Sequence, residues 1–370
     1  MHTKTVSPAG LQTALAVRDL SNPLQGPHAV SLVVERVAEA LALLWGKPPT
    51  VLRPSPVVSV TSNYDDLAYP ANAPARSPRY ARYLEDGSLL RTHTTAAIPG
   101  WLASADRGVD DSAVLIPGMV WRRDCVDKRH VGEPHQLDAW RLVQGKMSRA
   151  DLLQMIAAVV ESVLPGIPWR GNETKHHYTQ DGLEVEVFLH GNWVEVLECG
   201  LICSELLARK GLDAREWSGL AMGIGLDRMV MVAKGMDDIR LLRSEEPRVA
   251  VQMLDLQPWR PVSMHKPASR DLSVAHPAGL DDESLGDLLR SGLTTGQIRL
   301  LEEASIVERW MPQDLPAIAC QRLGLGQGQE NLLVRLVVRS ADGPVSKEEC
   351  AAVYASAYTL LHQGSAVGYL

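Results

Sequence analysis

Cysteine, phenylalanine and long apolar runs are all scarce in this 370-residue chain. The five cysteines are scattered and odd in number, which argues against a disulfide framework and predicts a reducing, cytoplasmic compartment. No apolar run approaches the ~20 residues that cross a bilayer, and the opening "MHTKTVSPAGLQTALAVRDL" lacks the pattern of a secretory signal. One Phe stands beside nine Trp, and nothing in the sequence explains that imbalance.

A strong excess of one charge is also missing. The formal net charge is −7, so we expect no overall attraction to nucleic acid, no DNA partner and no membrane partner. Hydrophobic residues make up 45% of the chain, which is enough for one large domain and one small one.

The first part of the chain predicts an α+β fold. Residues 28–45 and 148–164 have the apolar spacing of amphipathic helices, and residues 183–202 predict a hairpin that turns at 190–192. Residues 216–235 open with glycines and become a helix that ends at Gly235. Further strands are predicted at "SPVVSV", "SLLRTHTT" and "AVLIPGMVWRRDCV", and a long surface loop at "NYDDLAYPANAPARSPRY". Hairpin-like turns between many strands favour an antiparallel sheet flanked by helices.

A Pro-rich connector, "LDLQPWRPVSMHKPASRD", predicts a boundary between a domain at 1–258 and a smaller one at 259–370. The smaller domain has strand, helix, two strands, helix and a short final segment, "AVGYL". This βαββαβ order is typical of a ferredoxin-like fold.

Two clusters carry candidate chemistry. Arg122 and Arg123 end a strand, and alternation places them on opposite faces, so that one guanidinium can reach a phosphate in a cleft. Glycines at 219, 223 and 225 precede Arg228 on a helix, as in turns that serve phosphates. Each cluster alone also fits a structural explanation, namely a solvated hairpin or tight helix-on-sheet packing.

In combination, the strand with an arginine and the downstream Gly-x-Gly-x-Asp-Arg resemble the second and third signature motifs of class II aminoacyl-tRNA synthetases. Within that class the chain resembles phenylalanyl-tRNA synthetase. The matching stretches, in order, are "NYDDLAYPANAPAR", "LLRTHTT", "PGMVWRRDCVDKRH", "PHQLD", "GNWVEVLECGLI", "SGLAMGIGLDRMVMVAKGMDDIRLL" and "KPASRDLSV". The resemblance runs from about Asp19 onward, and its layout is similar to the single-chain organellar type, with a C-terminal anticodon-binding domain, or to a divergent paralogue.

The resemblance implies formation of an aminoacyl-adenylate from ATP and transfer of the acyl group to tRNA, with Mg²⁺ as the metal. It implies that Arg122 grips the α-phosphate and that Arg228 lies over the adenine. It also implies that Asp124 accepts a hydrogen bond from the adenine, that His130 contacts the terminal phosphates and that Glu195 helps to hold Mg²⁺. Pro134 stands where the family has an aromatic residue that stacks on the base, so weaker ATP binding is expected.

The resemblance also implies an amino-acid site. His93, Thr94 and Thr95 with Gln136 and Asp138 match the segments that hold the ammonium and carboxylate groups, although Asp138 is one methylene shorter than the usual Glu. The resemblance also implies that Gly200 and Ala221 lie in the amino-acid pocket.

The side-chain pocket departs from the family. His176, His177 and Tyr178 replace Phe-Pro-Phe, and Glu198 replaces a glycine. An unpaired carboxylate in an apolar pocket costs several kcal/mol, so Glu198 is paired with His176, turned outward or ready for a polar substrate. We therefore expect His176, Tyr178 and Glu198 to recognise a side chain more polar than benzyl. Two alternatives are that "HHY" lies on the surface, or that His176, His177, Glu198 and Cys199 bind zinc.

The acceptor is open as well. From Pro261 to Leu370 there are nine Lys and Arg against thirteen Asp and Glu, whereas modules that bind RNA usually present a basic surface. The alternatives are an enzyme that passes a more polar amino acid to another acceptor, and an inactive paralogue that serves as a binding module. Either a monomer or a homodimer is compatible with the sequence.

Overall fold

The computed structural model describes residues 5–123, 127–128, 130–189, 191–262, 266–340 and 343–366. Contacts divide the chain into two compact units. The first comprises Met1–Arg122, Glu133–Met236 and Gln252–Trp259, and the second comprises Arg123–Gly132, Asp237–Val251 and Arg260–Leu370. No helix among the described residues is both long enough and apolar enough to cross a membrane.

The first unit is built on a seven-stranded sheet. The strands of this unit are β1 (Thr50–Val51), β2 (Val57–Val58), β3 (Arg82–Tyr83), β4 (Leu89–Leu90), β5 (Asp111–Met119), β6 (His135–Gln144), β7 (Trp169–Glu173), β8 (Thr179–Leu189), β9 (Asn192–Ile202) and β10 (Trp217–Gly225). The large sheet has the order β1-β5-β6-β10-β9-β8-β7, and β2, β4 and β3 form a small second sheet. β1 pairs with β5 in parallel and the other neighbours are antiparallel, so the sheet is mixed but mostly antiparallel, in agreement with the α+β prediction.

The helices of this unit are α1 (Pro8–Ala16), α2 (Ala29–Trp45), α3 (Ile98–Ala103), α4 (Arg149–Val163), α5 (Ser204–Arg209) and α6 (Leu226–Lys234). α2 packs against α4 and α6. Local chemistry fixes the ends of these helices. Ser148 and Asp151 form a reciprocal capping box at the start of α4, and Gly235 ends α6 in the left-handed conformation. The helices predicted at 28–45, at 148–164 and within 216–235 are confirmed.

The segment at 63–80, expected to be a surface loop, is partly core. It contains short helical turns at Thr61–Asp65 and Pro74–Arg76, and the side chains of Asn63 and Tyr64 are fully buried. The Asn63 amide donates to Thr92 Oγ1 at 2.9 Å and accepts from the Thr92 backbone N–H at 3.2 Å. The long strand predicted over 88–95 is also wrong, because only Leu89–Leu90 is extended and a 3₁₀ turn follows at Thr94–Ala97.

The second unit has its own sheet and core. Its strands are β11 (Ala268–Pro277), β12 (Leu301–Trp310) and β13 (Gln329–Val338), in the antiparallel order β11-β13-β12. Its helices are α7 (Pro247–Ala250), α8 (Asp282–Gly292), α9 (Thr295–Leu300), α10 (Ala317–Leu323) and α11 (Lys347–Leu361). Apolar side chains of the sheet pack against α8 and α11 around Leu285, Leu289 and Val353. The predicted last segment, "AVGYL", lies mostly outside the described residues, as does part of the 190–192 turn.

Candidate active site

Three neighbouring strands of the large sheet place the candidate residues in rows. Asp138 on β6, Gly223 on β10 and Glu198 on β9 are directly opposite one another, and in the next row Ala221 lies between Trp140 and Gly200. Residues in register across a sheet project to the same face. Over this face lies a pocket that opens to solvent, with about 200 Å³ of empty space when the solvent at its mouth is included. Its lining residues are Asp138, Trp140, His176, Tyr178, Thr179, Glu198, Cys199, Ala221, Met222 and Gly223.

Asp138 forms one end of the central row. Its side chain is 3% exposed. Thr94 and Thr95 donate to Oδ2 at 2.6 and 3.1 Å, and the Trp140 indole donates to Oδ1 at 2.8 Å. Burial raises the pKa of Asp138 although these three donors oppose the shift. The two threonines predicted to contact substrate therefore also hold this carboxylate.

Glu198 forms the other end of the row and is paired with His176. The His176 Nε2 lies 2.9 Å from Glu198 Oε2. The hydrogen bond to Glu198 raises the pKa of His176 against the effect of burial. Burial raises the pKa of Glu198, but His176, Arg122 and Arg228 outweigh it and leave that pKa below its usual value. Of the three expectations for Glu198, the structure shows pairing.

The rings of the "HHY" segment face the pocket in part. Tyr178 stacks between Trp140 and His176, with ring centroids 5.9 and 5.8 Å apart and interplanar angles of 29° and 30°. His177 is exposed and meets the edge of Tyr69 at 5.1 Å. The surface alternative therefore holds for His177 alone.

The zinc alternative receives no support. In the part of the chain that the structure describes, no three His, Cys, Asp or Glu side chains are grouped to hold a metal ion. Cys199 is buried, and burial raises the pKa of its thiol to about 12, which disfavours the thiolate that zinc requires.

His93 lies in a cluster of aromatic rings. It stacks on Tyr69 at 5.7 Å and meets the edge of Tyr64 at 6.2 Å. Its ring nitrogens are buried and have no well-formed hydrogen bond to any described residue. Burial, with Arg122 and Arg91 nearby, lowers the pKa of His93 to about 3, so the ring is neutral. Sequence reasoning missed Tyr69, although the stretch that contains it was among those that matched the family.

The glycines of the site serve different purposes. A Cβ on Gly219 would lie 2.2 Å from the Arg141 carbonyl oxygen, and one on Gly200 would lie 2.7 Å from Thr179 Cβ. A Cβ on Gly223, by contrast, would meet nothing within 4 Å. Gly219 and Gly200 are thus needed for close packing, whereas Gly223 keeps the floor of the pocket open.

The arginines have separate surroundings. Arg122 Nε donates to the Thr92 carbonyl at 2.8 Å, and its guanidinium lies 5.8 Å from the centre of the Tyr80 ring. Arg228 pairs with Glu195 at 3.0 Å. Both guanidiniums lie close enough to Glu198 to lower its pKa.

The remaining predicted residues are placed as follows. Gln136 is half-buried at the start of β6, opposite Gly225. In the second unit, His130 Nδ1 lies 2.7 Å from Asp127, and Arg123 pairs with Asp287 at 3.3 Å. Asp124 is outside the described residues.

Comparisons with known proteins identify the family of this chain. Residues 21–253 match the family model for the class II core domain (F) of tRNA synthetases. The chain is 30% identical over 225 residues to the phenylalanine–tRNA ligase alpha subunit of Nostoc punctiforme, which covers 61% of this chain and 66% of that one. It is 33% identical over 190 residues to the alpha subunit from Prochlorococcus marinus, which covers 51% of this chain and 56% of that one. The chain thus spans less than two thirds of the length of these relatives.

One solved structure is also similar. A pyrrolysyl tRNA synthetase from Desulfitobacterium hafniense overlaps with a TM-score of 0.47 at 16% identity, over 64% of this chain and 78% of that chain. A likeness at this distance adds nothing to the match with the family model.

Proposed function

Since this chain belongs to the class II tRNA synthetase core family, within the phenylalanine–tRNA ligase group, we propose that it activates an amino acid with ATP and transfers the acyl group to an acceptor. The observation that carries the proposal is the buried carboxylate of Asp138, held at one end of the pocket by two threonine hydroxyls and an indole N–H. Arg122 and Arg228 both lie close enough to Glu198, at the other end, to lower its pKa. Adenylate formation builds negative charge on phosphate oxygens, and fixed guanidinium groups stabilise such charge.

In this proposal Arg122 binds the α-phosphate and Arg228 the adenine and terminal phosphates. The nucleotide contacts of Asp124 and His130 remain predictions from the family resemblance. Arg122 is held by its Nε bond to the Thr92 carbonyl, an arrangement in which the terminal nitrogens of the guanidinium can bind a phosphate. The Arg228–Glu195 pair is 32% and 40% exposed, so it can open to solvent and to ligand. Glu195 fits Mg²⁺, which proteins bind through one or two carboxylates together with substrate phosphates. Mg²⁺ would neutralise phosphate charge there.

The amino acid is proposed to lie over Gly223. Asp138, Thr94 and Thr95 are suited to an ammonium group, because one buried carboxylate and two hydroxyls converge at 2.6 and 3.1 Å. Gln136 is proposed to bind the carboxylate and His93 to support Tyr69 beneath the site. Ala221 shapes the floor, and Gly200 acts by letting β8 and β9 approach.

We also propose a domain division at about residue 258, with a ferredoxin-like second domain. The antiparallel strand order β11-β13-β12 and the packing of α8 and α11 on that sheet support it.

An acceptor other than tRNA is the second candidate, and the charges of the second unit support it. On the β11-β13-β12 sheet of the second unit and beside it, three arginines are paired with carboxylates. The pairs are Arg309 with Glu330 at 3.0 Å, Arg335 with Asp271 at 2.7 Å and Arg339 with Glu302 at 2.6 Å. A guanidinium engaged in this way contributes less to RNA phosphate binding. A non-tRNA acceptor is therefore the alternative to tRNA, as in a paralogue.

Pyrophosphate exchange across a panel of amino acids, followed by acylation assays with total tRNA, tests the proposal. Exchange together with acylated tRNA supports the ligase, and exchange without acylated tRNA supports the alternative acceptor. Absence of exchange with every amino acid would contradict amino-acid activation and favour a binding module.

A further inference from the structure

The end of the pocket opposite Asp138 is built from polar groups. Glu198 lines the pocket with its side chain 41% exposed, and the hydrogen-bond partner that the structure gives it is His176. Glu184 lies directly opposite Glu198 on β8, so two carboxylates face this end from adjacent strands. Like charges directly opposite each other repel, which destabilises the pair of strands. A hydrogen-bond donor or a cation placed beside the two carboxylates reduces this repulsion.

A second, independent feature is the Thr179 hydroxyl. It lines the same pocket, its oxygen is buried, and no described residue hydrogen-bonds to it. A buried hydroxyl without a partner costs on the order of 1–3 kcal/mol, which a polar ligand group can recover.

The spacing of the row suits a ligand with two polar ends. Neighbouring strands are about 4.8 Å apart, so the backbones of Asp138 and Glu198, two strands apart, are separated by about 10 Å. Gly223 lies between them without a side chain, and the stacked rings of Tyr178 and His176 form a wall. An α-amino acid can place its ammonium at one carboxylate and the tip of its side chain at the other.

We propose that this pocket takes an α-amino acid whose side chain ends in an N–H or O–H donor, and that Glu198 and Thr179 receive that donor. The inference rests on the proposed function for the orientation of the amino acid. A hydrocarbon side chain would bury Glu198 and leave Thr179 unpaired. Sites of this kind reject analogues that lack the polar group by as much as about 10⁴-fold.

Calorimetric titration of the purified protein with matched pairs tests the inference. Tyrosine against phenylalanine examines a hydroxyl donor, and lysine against norleucine examines an ammonium donor. We expect the donor-bearing member of one pair to bind at least about 10²-fold more tightly, and Glu198→Ala to reduce that ratio below about tenfold. The control is Glu186→Gln, because Glu186 binds Arg170 and Asn172 outside the pocket and its replacement should leave the ratio unchanged.

Equal or tighter binding of both apolar members, binding of none of the four compounds, or a ratio that Glu198→Ala does not change would overturn the inference. Pyrophosphate exchange with the same compounds separates the two proposals. Selective binding without exchange would refute amino-acid activation and leave the pocket assignment standing. Exchange with phenylalanine but not with tyrosine or lysine would refute the pocket assignment and leave amino-acid activation standing.

Discussion

Replacement of Gly223 by alanine is expected to damage activity while leaving the fold intact. The added Cβ meets nothing within 4 Å and points over the pocket between Asp138 and Glu198. Because Gly223 does not have a positive φ, alanine is compatible with its backbone and lowers the entropy of the unfolded chain. The variant should therefore be as stable as the wild type or more stable by up to about 1 kcal/mol.

The expected loss of activity follows from the position of the added carbon. A Cβ at Gly223 occupies space over the pocket floor that the ligand needs. A single methylene in such a site changes discrimination by about 1–3 kcal/mol, or roughly 10–200-fold. We expect kcat/KM for pyrophosphate exchange to fall within that range.

Gly219→Ala is the matched opposite on the same strand. Its Cβ would lie 2.2 Å from a main-chain oxygen of Arg141 and 2.6 Å from Ile202 Cδ1, so β6 and β10 must move apart. Overpacking of this kind costs about 1–3 kcal/mol, which lowers Tm by several degrees at roughly 2–4 °C per kcal/mol. Thermal unfolding and exchange kinetics on both variants complete the test. If Gly223→Ala lowered Tm as much as Gly219→Ala did, or left exchange unchanged, the view of Gly223 as an open pocket floor would be refuted.

Three further results are expected. Arg122→Ala should lower kcat/KM for exchange by about 10²–10³, whereas Arg123→Ala should lower it less than about tenfold, and equal losses would contradict their different roles. The pKa of His176 lies above 6.5 in the wild type and should fall in Glu198→Gln, as NMR titration of the imidazole would show. The charged ring stabilises the wild-type fold below pH 6.5, and this stabilisation is lost as the pH rises through the raised pKa. An unchanged titration in the variant would count against the pairing. Burial raises the pKa of Asp138 above 3.8, so its ionisation weakens the fold as the pH rises. Asp138→Asn should therefore gain Tm relative to the wild type as the pH rises from about 4 through the raised pKa, and a difference independent of pH would speak against this account.

The elements that sequence reasoning predicted well are those with local signals. The helix at 149–163 carries its own capping box, Ser148 with Asp151, and the helix before Gly235 ends in a conformation that glycine favours. These contacts lie within four residues of one another, so the pattern of the sequence contains them.

The burial of the segment at 63–80 could not be predicted in this way. Its prolines and polar residues are typical of loops, but Tyr64 is fully buried and the neighbouring Asn63 binds Thr92, which lies 29 residues further along the chain. A contact of that length depends on the tertiary fold, as does the stacking of Tyr69 on His93.

The candidate site residues were predicted from their order in the sequence, and their interactions were only partly foreseen. The pairing of Glu198 with His176 was one of three alternatives, and only the register of β8 and β9 together with the turn before β8 decides among them. For Gly200, the sequence suggested room for a ligand, whereas the structure shows room for Thr179. A glycine leaves room for a ligand and for a neighbouring side chain alike, so the sequence alone cannot distinguish these two roles.

Asp138 shows why a pocket of this kind is costly to keep. Two hydroxyls and an indole N–H donate to it, yet burial still raises its pKa, so the protein buries a carboxylate that its own donors do not fully stabilise. A fold selected for stability alone would gain by replacing it with a neutral residue of the same shape. An ammonium group placed against Asp138 would supply the missing positive charge, so ligand binding and stability are linked at this residue. Addition of the amino acid should therefore raise the Tm of the wild type but not that of Asp138→Asn. This difference should hold even at a pH where the variant without ligand is more stable than the wild type without ligand.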